Sequence, residues 1–156
     1  MKILVVSDIH NKYNKLIDIV LEVKPDYIFF LGDGLNNFDE AVANLNLGQI
    51  FKVRGNCDFF ASEPSFLKVN SKGFSFLLTH GHNFNVKNGL HELLEYAKKE
   101  GVNFVCFGHT HIALNENLNG ITFFNPGSLA SSRAEENSYG IIEFDDKNFT
   151  FKTQKI

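Results

Sequence analysis

Five apolar runs in the sequence are each followed at once by side chains that can bind a metal ion or transfer a proton. The side chains after these runs are Asp8, His10, Asp33, Asn56, His80, His82, His109 and His111. Carboxylate, amide and neutral imidazole groups are common ligands of divalent metal ions in hydrolytic enzymes. Five of the six histidines lie in these segments, and only His91 lies in a segment with helical spacing. The pattern predicts that these side chains converge in one site that can bind metal ions.

The spacing within two of these segments supports a shared site. Residues two apart on an extended chain point the same way, so Asp8 pairs with His10 and His109 pairs with His111. A glycine directly precedes Asp33, Asn56 and His109, which permits tight turns that other side chains would obstruct. We therefore expect each pair to direct two donor groups at one place.

Each residue alone also has a purely structural interpretation. Asp8 can cap the helix that follows it, Asp33 can stabilise a turn, and Asn56 is a common turn residue. A single histidine in a loop is usually a solvated surface residue. The structural interpretation must, however, hold independently at every one of these positions, and we therefore favour the metal site.

Hydrophobic periodicity predicts ten strands and three helices. The predicted strands are residues 2–6, 26–31, 49–53, 66–69, 74–79, 103–107, 112–118, 121–124, 139–144 and 149–153, and the predicted helices are residues 12–23, 39–47 and 87–99. The alternation of strand and helix in the first half favours a parallel sheet, whose carboxyl ends meet at the edge where ligands bind. We expect two sheets packed face to face with helices outside, in one domain of residues 1–156.

Composition and charge describe a globular protein without a basic surface. Hydrophobic residues make up 44% of the chain, charged residues make up 21%, and the net charge is -3. This balance argues against binding to nucleic acid, which needs many basic contacts, but it allows a small anionic substrate at a metal centre. No apolar run approaches the ~20 residues of a membrane span. Cys57 and Cys106 are expected to be reduced thiols of a cytoplasmic protein.

In their order along the chain, the ligand segments resemble the motifs of the calcineurin-like metallophosphoesterase superfamily. The matching motifs are Asp8-Ile9-His10, Gly32-Asp33, Gly55-Asn56-Cys57-Asp58, His80-Gly81-His82, Gly108-His109-Thr110-His111 and Asn125-Pro126-Gly127-Ser128. Each motif alone is weak, but the ordered set is specific and spans nearly the whole chain. Within the superfamily, the chain looks like the small bacterial and archaeal phosphodiesterases that consist of the catalytic domain alone.

The resemblance implies an α/β fold, a four-layer α/β/β/α sandwich of two mixed sheets, and two divalent metal ions. It implies that one ion is bound by Asp8, His10 and His111, the other by Asn56, His80 and His109, and that both are bridged by Asp33. A hydroxide between the ions would attack phosphorus in line. Mixed nitrogen and oxygen ligands favour manganese, with nickel, zinc, iron or cobalt as alternatives, over magnesium or calcium.

One position departs from many members of the wider superfamily. Those enzymes carry a histidine after the asparagine ligand that helps the leaving group depart, whereas this chain has Cys57, as the catalytic-domain-only phosphodiesterases commonly do. We expect Cys57 to be a spectator, although an electropositive setting would activate it as a nucleophile. His82 is then the candidate proton donor or phosphate partner, and Asn56 is both a metal ligand and a catalytic residue.

The sequence favours a small phosphate diester as substrate, with a nucleotide among the candidates. Arg54 and Arg133 are the only arginines, which is a poor supply for clamping a doubly charged monoester. The alternatives are a phosphomonoesterase or nucleotide pyrophosphatase on the same metals, a non-catalytic retromer-type scaffold, and a nuclease. Phe59, Phe60 and Phe84 follow the ligand segments, and they either stack on a base or aryl group or pack at a homodimer interface.

Overall fold

The computed structural model describes residues 1–10, 12–130, 133 and 136–156, which form two five-stranded sheets and three α-helices. The strands are β1 (Lys2–Val6), β2 (Tyr27–Phe30), β3 (Gln49–Lys52), β4 (Phe66–Ser71), β5 (Phe74–Thr79), β6 (Phe104–Cys106), β7 (Leu114–Leu118), β8 (Ile121–Asn125), β9 (Ser138–Phe144) and β10 (Phe149–Lys155). The helices are α1 (Tyr13–Val23), α2 (Leu35–Val42) and α3 (His91–Glu100), and short 3-10 turns occupy His82–Phe84 and Val86–Asn88.

Both sheets are mixed, and both place parallel strands at their centres. The first sheet has the order β10-β9-β1-β2-β3, in which β1, β2 and β3 are parallel. The second has the order β4-β5-β6-β8-β7, in which β5, β6 and β8 are parallel. The carboxyl ends of parallel strands lie at one edge of their sheet, so six strands deliver the segments that follow them to two edges.

Alternating side chains along β1 build the layers of the fold. Ile3 and Val5 pack between the two sheets, whereas Leu4 and Val6 pack against α1 and α2 on the outer face. A third apolar cluster joins α3 to the outer face of the second sheet. Because successive side chains of a strand point to opposite faces, each sheet can bury both of its faces. The four-layer α/β/β/α sandwich expected from the sequence is confirmed.

Two helices begin four residues away from their predicted starts, whereas α1 begins within one residue of its own. Helix α2 begins at Leu35 rather than at residue 39, because a distant carboxylate, that of Asp58, accepts hydrogen bonds from the backbone N–H groups of Gly34 and Leu35. Helix α3 begins at His91 rather than at residue 87. Gly89 has a φ of 132°, which an α-helix cannot include, and the preceding residues form 3-10 turns instead.

Candidate metal centre

The seven predicted metal ligands all follow the carboxyl ends of the parallel strands. Asp8 and His10 follow β1, Asp33 follows β2, Asn56 follows β3, His80 follows β5, and His109 and His111 follow β6. Asp8, Asp33 and His80 are buried, whereas the other four side chains are partly or fully exposed. The site therefore has a buried floor and a rim that is open to solvent.

One group of donor atoms is formed by Asp8, His10 and His111. These three side chains each offer an atom within 4.8 Å of the others. The Nε2 atom of His111 lies 2.9 Å from Oδ1 of Asp8, and the rings of His10 and His111 have centroids 6.0 Å apart. This is the set that the sequence resemblance assigns to the first metal ion.

A second group of donor atoms surrounds the Nε2 atom of His80. This nitrogen lies 3.4 Å from Oδ2 of Asp33, 3.2 Å from Oδ1 of Asn56 and 3.2 Å from Nδ1 of His109. Asp8, Asp33 and His80 also bring one donor atom each within 4.8 Å of one another. Asp8 is thus shared by both groups, and Oδ2 of Asp33 lies in the second group.

The orientation of the His80 ring indicates that a cation belongs among these atoms. Nδ1 of His80 lies 2.7 Å from the carbonyl oxygen of Leu31, so the Nδ1–H donates there, and Nε2, once it has given up its proton to solvent, presents its lone pair to the site. The atoms around Nε2 are themselves electron-rich. Oδ1 of Asp8 is buried and accepts no hydrogen bond of good geometry from any described residue. Nitrogen and oxygen donors that converge in this way suit a divalent transition metal.

The pKa shifts describe the electrostatic field of the same atoms. Burial opposes ionisation of Asp33, but hydrogen bonding and the charge of His80, together with the Cys57 N–H, hold the pKa of this carboxyl well below its usual range. Burial would likewise lower the pKa of His80, yet the carboxylates of Asp33 and Asp8 raise it. Burial and the neighbouring His80 lower the pKa of His109 to about 4. At neutral pH, His109 is therefore a neutral imidazole, the form that binds metal.

Five of the seven ligands have a left-handed backbone conformation. The φ angles are 54° for Asp8, 40° for His10, 61° for Asp33, 66° for His109 and 61° for His111. This conformation is unfavourable for residues other than glycine, and it persists where surrounding contacts determine it. The chain therefore turns sharply at these residues and is not extended there, contrary to the assumption behind pairing Asp8 with His10 and His109 with His111.

Glycines allow the ligand loops to approach one another closely. A Cβ atom at position 108 would overlap the side chain of Ser7 and lie 3.0 Å from Oδ2 of Asp8. A Cβ atom at position 55 would overlap the side chain of Asp33. Any larger residue at either position would push two ligand loops apart.

A single carboxylate, that of Asp58, joins the loops that carry Asp33 and Asn56. Its Oδ2 accepts hydrogen bonds from the N–H groups of Asp33 and Gly55, each at 2.8 Å, and its Oδ1 accepts from Gly34 and Leu35 at 2.9 and 3.0 Å. The sequence alone does not predict that Asp58 joins these loops. The only signal in the sequence is an aspartate at the end of a ligand motif.

The Asn125-Pro126-Gly127-Ser128 segment braces the other ligand loops. The Nδ2 group of Asn125 donates to the carbonyl oxygen of Gly108 at 2.9 Å and to Oγ1 of Thr110 at 3.1 Å. The hydroxyl of Ser128 donates to the backbone oxygen of Asp8 at 3.0 Å. Asn125 and Ser128 are both fully buried. The segment acts as a support behind the ligands of the first group.

His82 and Cys57 lie beside the donor groups. The ring of His82 has its centroid 5.4 Å from that of His80 and 6.2 Å from that of His109, and burial and His80 lower its pKa. The Cys57 side chain is exposed. Burial of its sulfur and the carboxylates of Asp33, Asp58 and Asp8 raise the pKa of this thiol to about 11. In the metal-free protein, the side chains around Cys57 therefore hold it as a neutral thiol.

Comparison with known proteins identifies the family. Residues 1–147 match the model of the calcineurin-like phosphoesterase superfamily domain. The chain belongs to the calcineurin-like phosphoesterase superfamily. It is 30% identical over 155 residues to the probable metallophosphoesterase YsnB of Bacillus subtilis, covering 97% of this chain and 89% of that protein. It is 26% identical to the phosphodiesterase YfcE of Escherichia coli, covering 93% of this chain and 89% of that protein.

Solved structures agree with this assignment. A predicted phosphoesterase from Streptococcus pneumoniae superimposes with a TM-score of 0.85 at 28% identity, covering 99% of this chain and 88% of that one. Vps29 from Entamoeba histolytica superimposes with a TM-score of 0.81 at 20% identity, covering 100% and 98%, and shares the fold. This phosphoesterase is thus a hydrolase of a metal-dependent family. None of the helices in its described residues combines the length and the apolar character that crossing a bilayer requires.

Proposed function

We propose that this phosphoesterase is a phosphodiesterase that depends on two divalent metal ions and that residues 1–156 form one catalytic domain. The proposed ligands of the first ion are Asp8, His10 and His111, those of the second are Asn56, His80 and His109, and the bridging ligand is Asp33. The observation that carries the proposal is the pair of donor groups that meet at Asp8, each within 4.8 Å. Manganese is the metal we would supply first, because the ligands mix oxygen and nitrogen.

Two divalent ions, when bound, polarise the phosphoryl oxygens of a substrate and acidify a water molecule near neutral pH. The two carboxylates of Asp8 and Asp33 offset only half of the charge of two dications, so the centre keeps a positive charge that attracts a phosphate anion. His82, on the rim beside His80 and His109, is placed to donate a proton or a hydrogen bond to the departing or phosphoryl oxygen.

The hydroxyl groups of Ser7 and Thr110, which flank the proposed ligands, are committed to structural hydrogen bonds, and this supports direct attack by water. The hydroxyl of Ser7 donates to Oδ2 of Asp8 at 2.6 Å. The hydroxyl of Thr110 donates to the carbonyl oxygen of Ile112 at 3.3 Å and accepts from Asn125. No covalent enzyme intermediate is therefore proposed on either side chain.

A diester suits the rim of the site better than a monoester. The side chain of Arg54 is exposed and its Nε–H donates to the hydroxyl of Ser65 at 3.2 Å, which turns part of its guanidinium toward that partner. A doubly charged monoester would gain from a free bidentate arginine. A singly charged diester needs less positive charge beyond the metal centre.

Turnover of bis(p-nitrophenyl) phosphate with added manganese tests the proposal. We expect His80→Ala and Asp33→Asn to lose at least 100-fold in kcat/KM, because metal ligands and their charge are removed. The matched control is His91→Ala, since His91 is an exposed histidine at the start of α3, away from the strand ends that carry the ligands. Equal rates on phenyl phosphate and the diester would contradict the preference for diesters. A manganese-loaded wild type without hydrolysis of either would contradict the enzyme itself.

The cytoplasm is the proposed location of the enzyme. Cys57 is exposed and Cys106 is fully buried, and neither forms a disulfide. Free thiols persist in the reducing environment of the cytoplasm. Fractionation of the source cells should recover the chain with cytoplasmic marker enzymes, and recovery in a secreted fraction would contradict this location.

A further inference from the structure

A cavity of about 310 Å³ adjoins the metal centre at His10. Residues that line this cavity, called here the Phe59 cavity, include His10, Asn36, Asn37, Asp58, Phe59 and Phe60. His10 belongs to the first donor group, so the cavity lies within reach of a substituent on a phosphate bound at the metal centre. The mechanism above gives no role to the aromatic rings or to the two amide side chains.

Phe59 and Phe60 expose their rings to solvent at the mouth of the cavity. Phe59 is 81% exposed and Phe60 is 103% exposed, which is unusual for side chains of this size. Phe84, by contrast, packs against Tyr96 with ring centroids 5.0 Å apart. Two adjacent exposed rings beside a catalytic site provide faces on which another flat ring can stack.

The charge of the cavity selects an uncharged group. Among the described residues that line it, none is a lysine or an arginine. The backbone N–H groups of Gly34 and Leu35 at the start of α2 could attract an anion, but both already donate to Asp58. A second phosphate group would therefore meet the carboxylate of Asp58 and no lysine or arginine among these residues, so the cavity is a poor site for the remote phosphate of a pyrophosphate substrate.

Two amide side chains add hydrogen-bonding capacity to the same cavity. Asn36 is exposed and Asn37 is half-buried, both in the first turn of α2. Neither amide forms a side-chain hydrogen bond within the described part of the chain. Each can both donate and accept, which matches the polar edge of a heterocyclic base.

We propose that the Phe59 cavity binds the flat, uncharged ring of a phosphodiester, with the ring stacked on Phe59 and Phe60 while the phosphate occupies the metal centre. This inference rests on the proposed function, because it names the substrate group that the phosphodiesterase site selects. An aryl group uses the stacking faces alone, whereas a nucleobase also uses the amides of Asn36 and Asn37. The shared requirement is a planar aromatic ring.

The test compares the binding of methyl phosphate, phenyl phosphate and adenosine 5′-monophosphate to the manganese-loaded protein by calorimetry. All three molecules carry the same phosphate group, so the differences between their affinities measure how much the attached ring contributes to binding. We expect phenyl phosphate to bind about tenfold tighter than methyl phosphate, in line with the range for stacking on aromatic side chains. In the Phe59→Ala/Phe60→Ala variant this ratio should fall close to one, with methyl phosphate unaffected. The matched control, Phe66→Ala, removes a partly exposed ring on β4 and should keep the ratio.

Each outcome decides between the competing interpretations. Equal binding of methyl and phenyl phosphate by the wild type, or no binding of either, overturns the inference. A wild-type dimer that dissociates in the double variant, with the affinity ratio unchanged, also overturns it, because the rings would then cover a second copy of the chain. Tighter binding of the nucleotide that is lost in Asn36→Ala/Asn37→Ala supports a nucleobase, and tighter binding of phenyl phosphate supports an aryl group. Ring-dependent binding without hydrolysis of bis(p-nitrophenyl) phosphate refutes the proposed activity alone.

Discussion

Replacing Asp58 by asparagine should destabilise the fold and weaken metal binding together. The asparagine keeps one acceptor oxygen for the N–H groups of Gly34 and Leu35, but its NH2 group then faces the N–H groups of Asp33 and Gly55, which donate at 2.8 Å to the native carboxylate. Two hydrogen bonds to a charged acceptor are lost. A hydrogen bond to a charged group contributes about 1.5 kcal/mol at the lower end of its range, which suits the partly exposed Asp58. Loss of two such bonds should lower the free energy of unfolding by about 3 kcal/mol.

Urea unfolding of the metal-free protein measures this stability change, and calorimetric titration with manganese measures the second effect. Asp58 does not belong to either donor group, yet it fixes the distance between the loops of Asp33 and Asn56. Loss of such an outer support typically weakens metal affinity by about 10- to 100-fold. The matched control is Asp18→Asn, which neutralises an exposed carboxylate on α1 and should change the unfolding free energy by less than about 0.5 kcal/mol. Equal stability and equal manganese affinity in Asp58→Asn and Asp18→Asn would refute the bracing role.

Three further predictions follow from buried contacts and thiol environments. In the metal-free protein, the thiol reagent 5,5′-dithiobis(2-nitrobenzoate) should modify the exposed Cys57 but not the buried Cys106. The rate of modification should rise about tenfold per pH unit toward the Cys57 pKa of about 11, because the thiolate is the reacting form. Fast modification of both thiols, or a rate that does not change above pH 8, would contradict this prediction. Gly108→Ala should lower manganese affinity by at least tenfold, since the added Cβ would displace the loop that carries Asp8. A calorimetric manganese titration that gives the wild-type affinity would refute the close approach of the Gly108 and Asp8 loops. Asn125→Ala should lower the free energy of unfolding by about 2 kcal/mol, because its buried hydrogen bonds to the 108–110 loop are lost, and a urea midpoint within error of the wild type would contradict it.

The sequence predicts the elements of this fold well because its strands carry strong local signals. The strands at Lys2–Val6 and Phe74–Thr79 are predicted to the residue, since apolar runs there end abruptly in polar ligand motifs. The meeting of the predicted ligands can also be foreseen from the sequence, because they follow strand ends that the parallel arrangement brings together.

Long-range contacts explain what the sequence alone does not give. The start of α2 depends on Asp58, which is 23 residues away from Leu35 along the chain, so no local capping residue marks it. The left-handed backbone of Asp8 and of four other ligands is imposed by the loops around them and leaves no signature in residue type. The contrast between the packed Phe84 and the exposed Phe59 likewise depends on a tertiary contact with Tyr96.

The proposed activity of this phosphoesterase requires two metal ions that bind side by side. Electron paramagnetic resonance during manganese titration of the metal-free wild type tests this, with His91→Ala as the reference variant. At two equivalents we expect the six-line signal of isolated ions to give way to the broad spectrum of a spin-coupled pair, and His80→Ala should retain only the isolated-ion signal. Saturation at one ion per chain, or two ions that keep independent six-line spectra, would contradict a shared dinuclear centre.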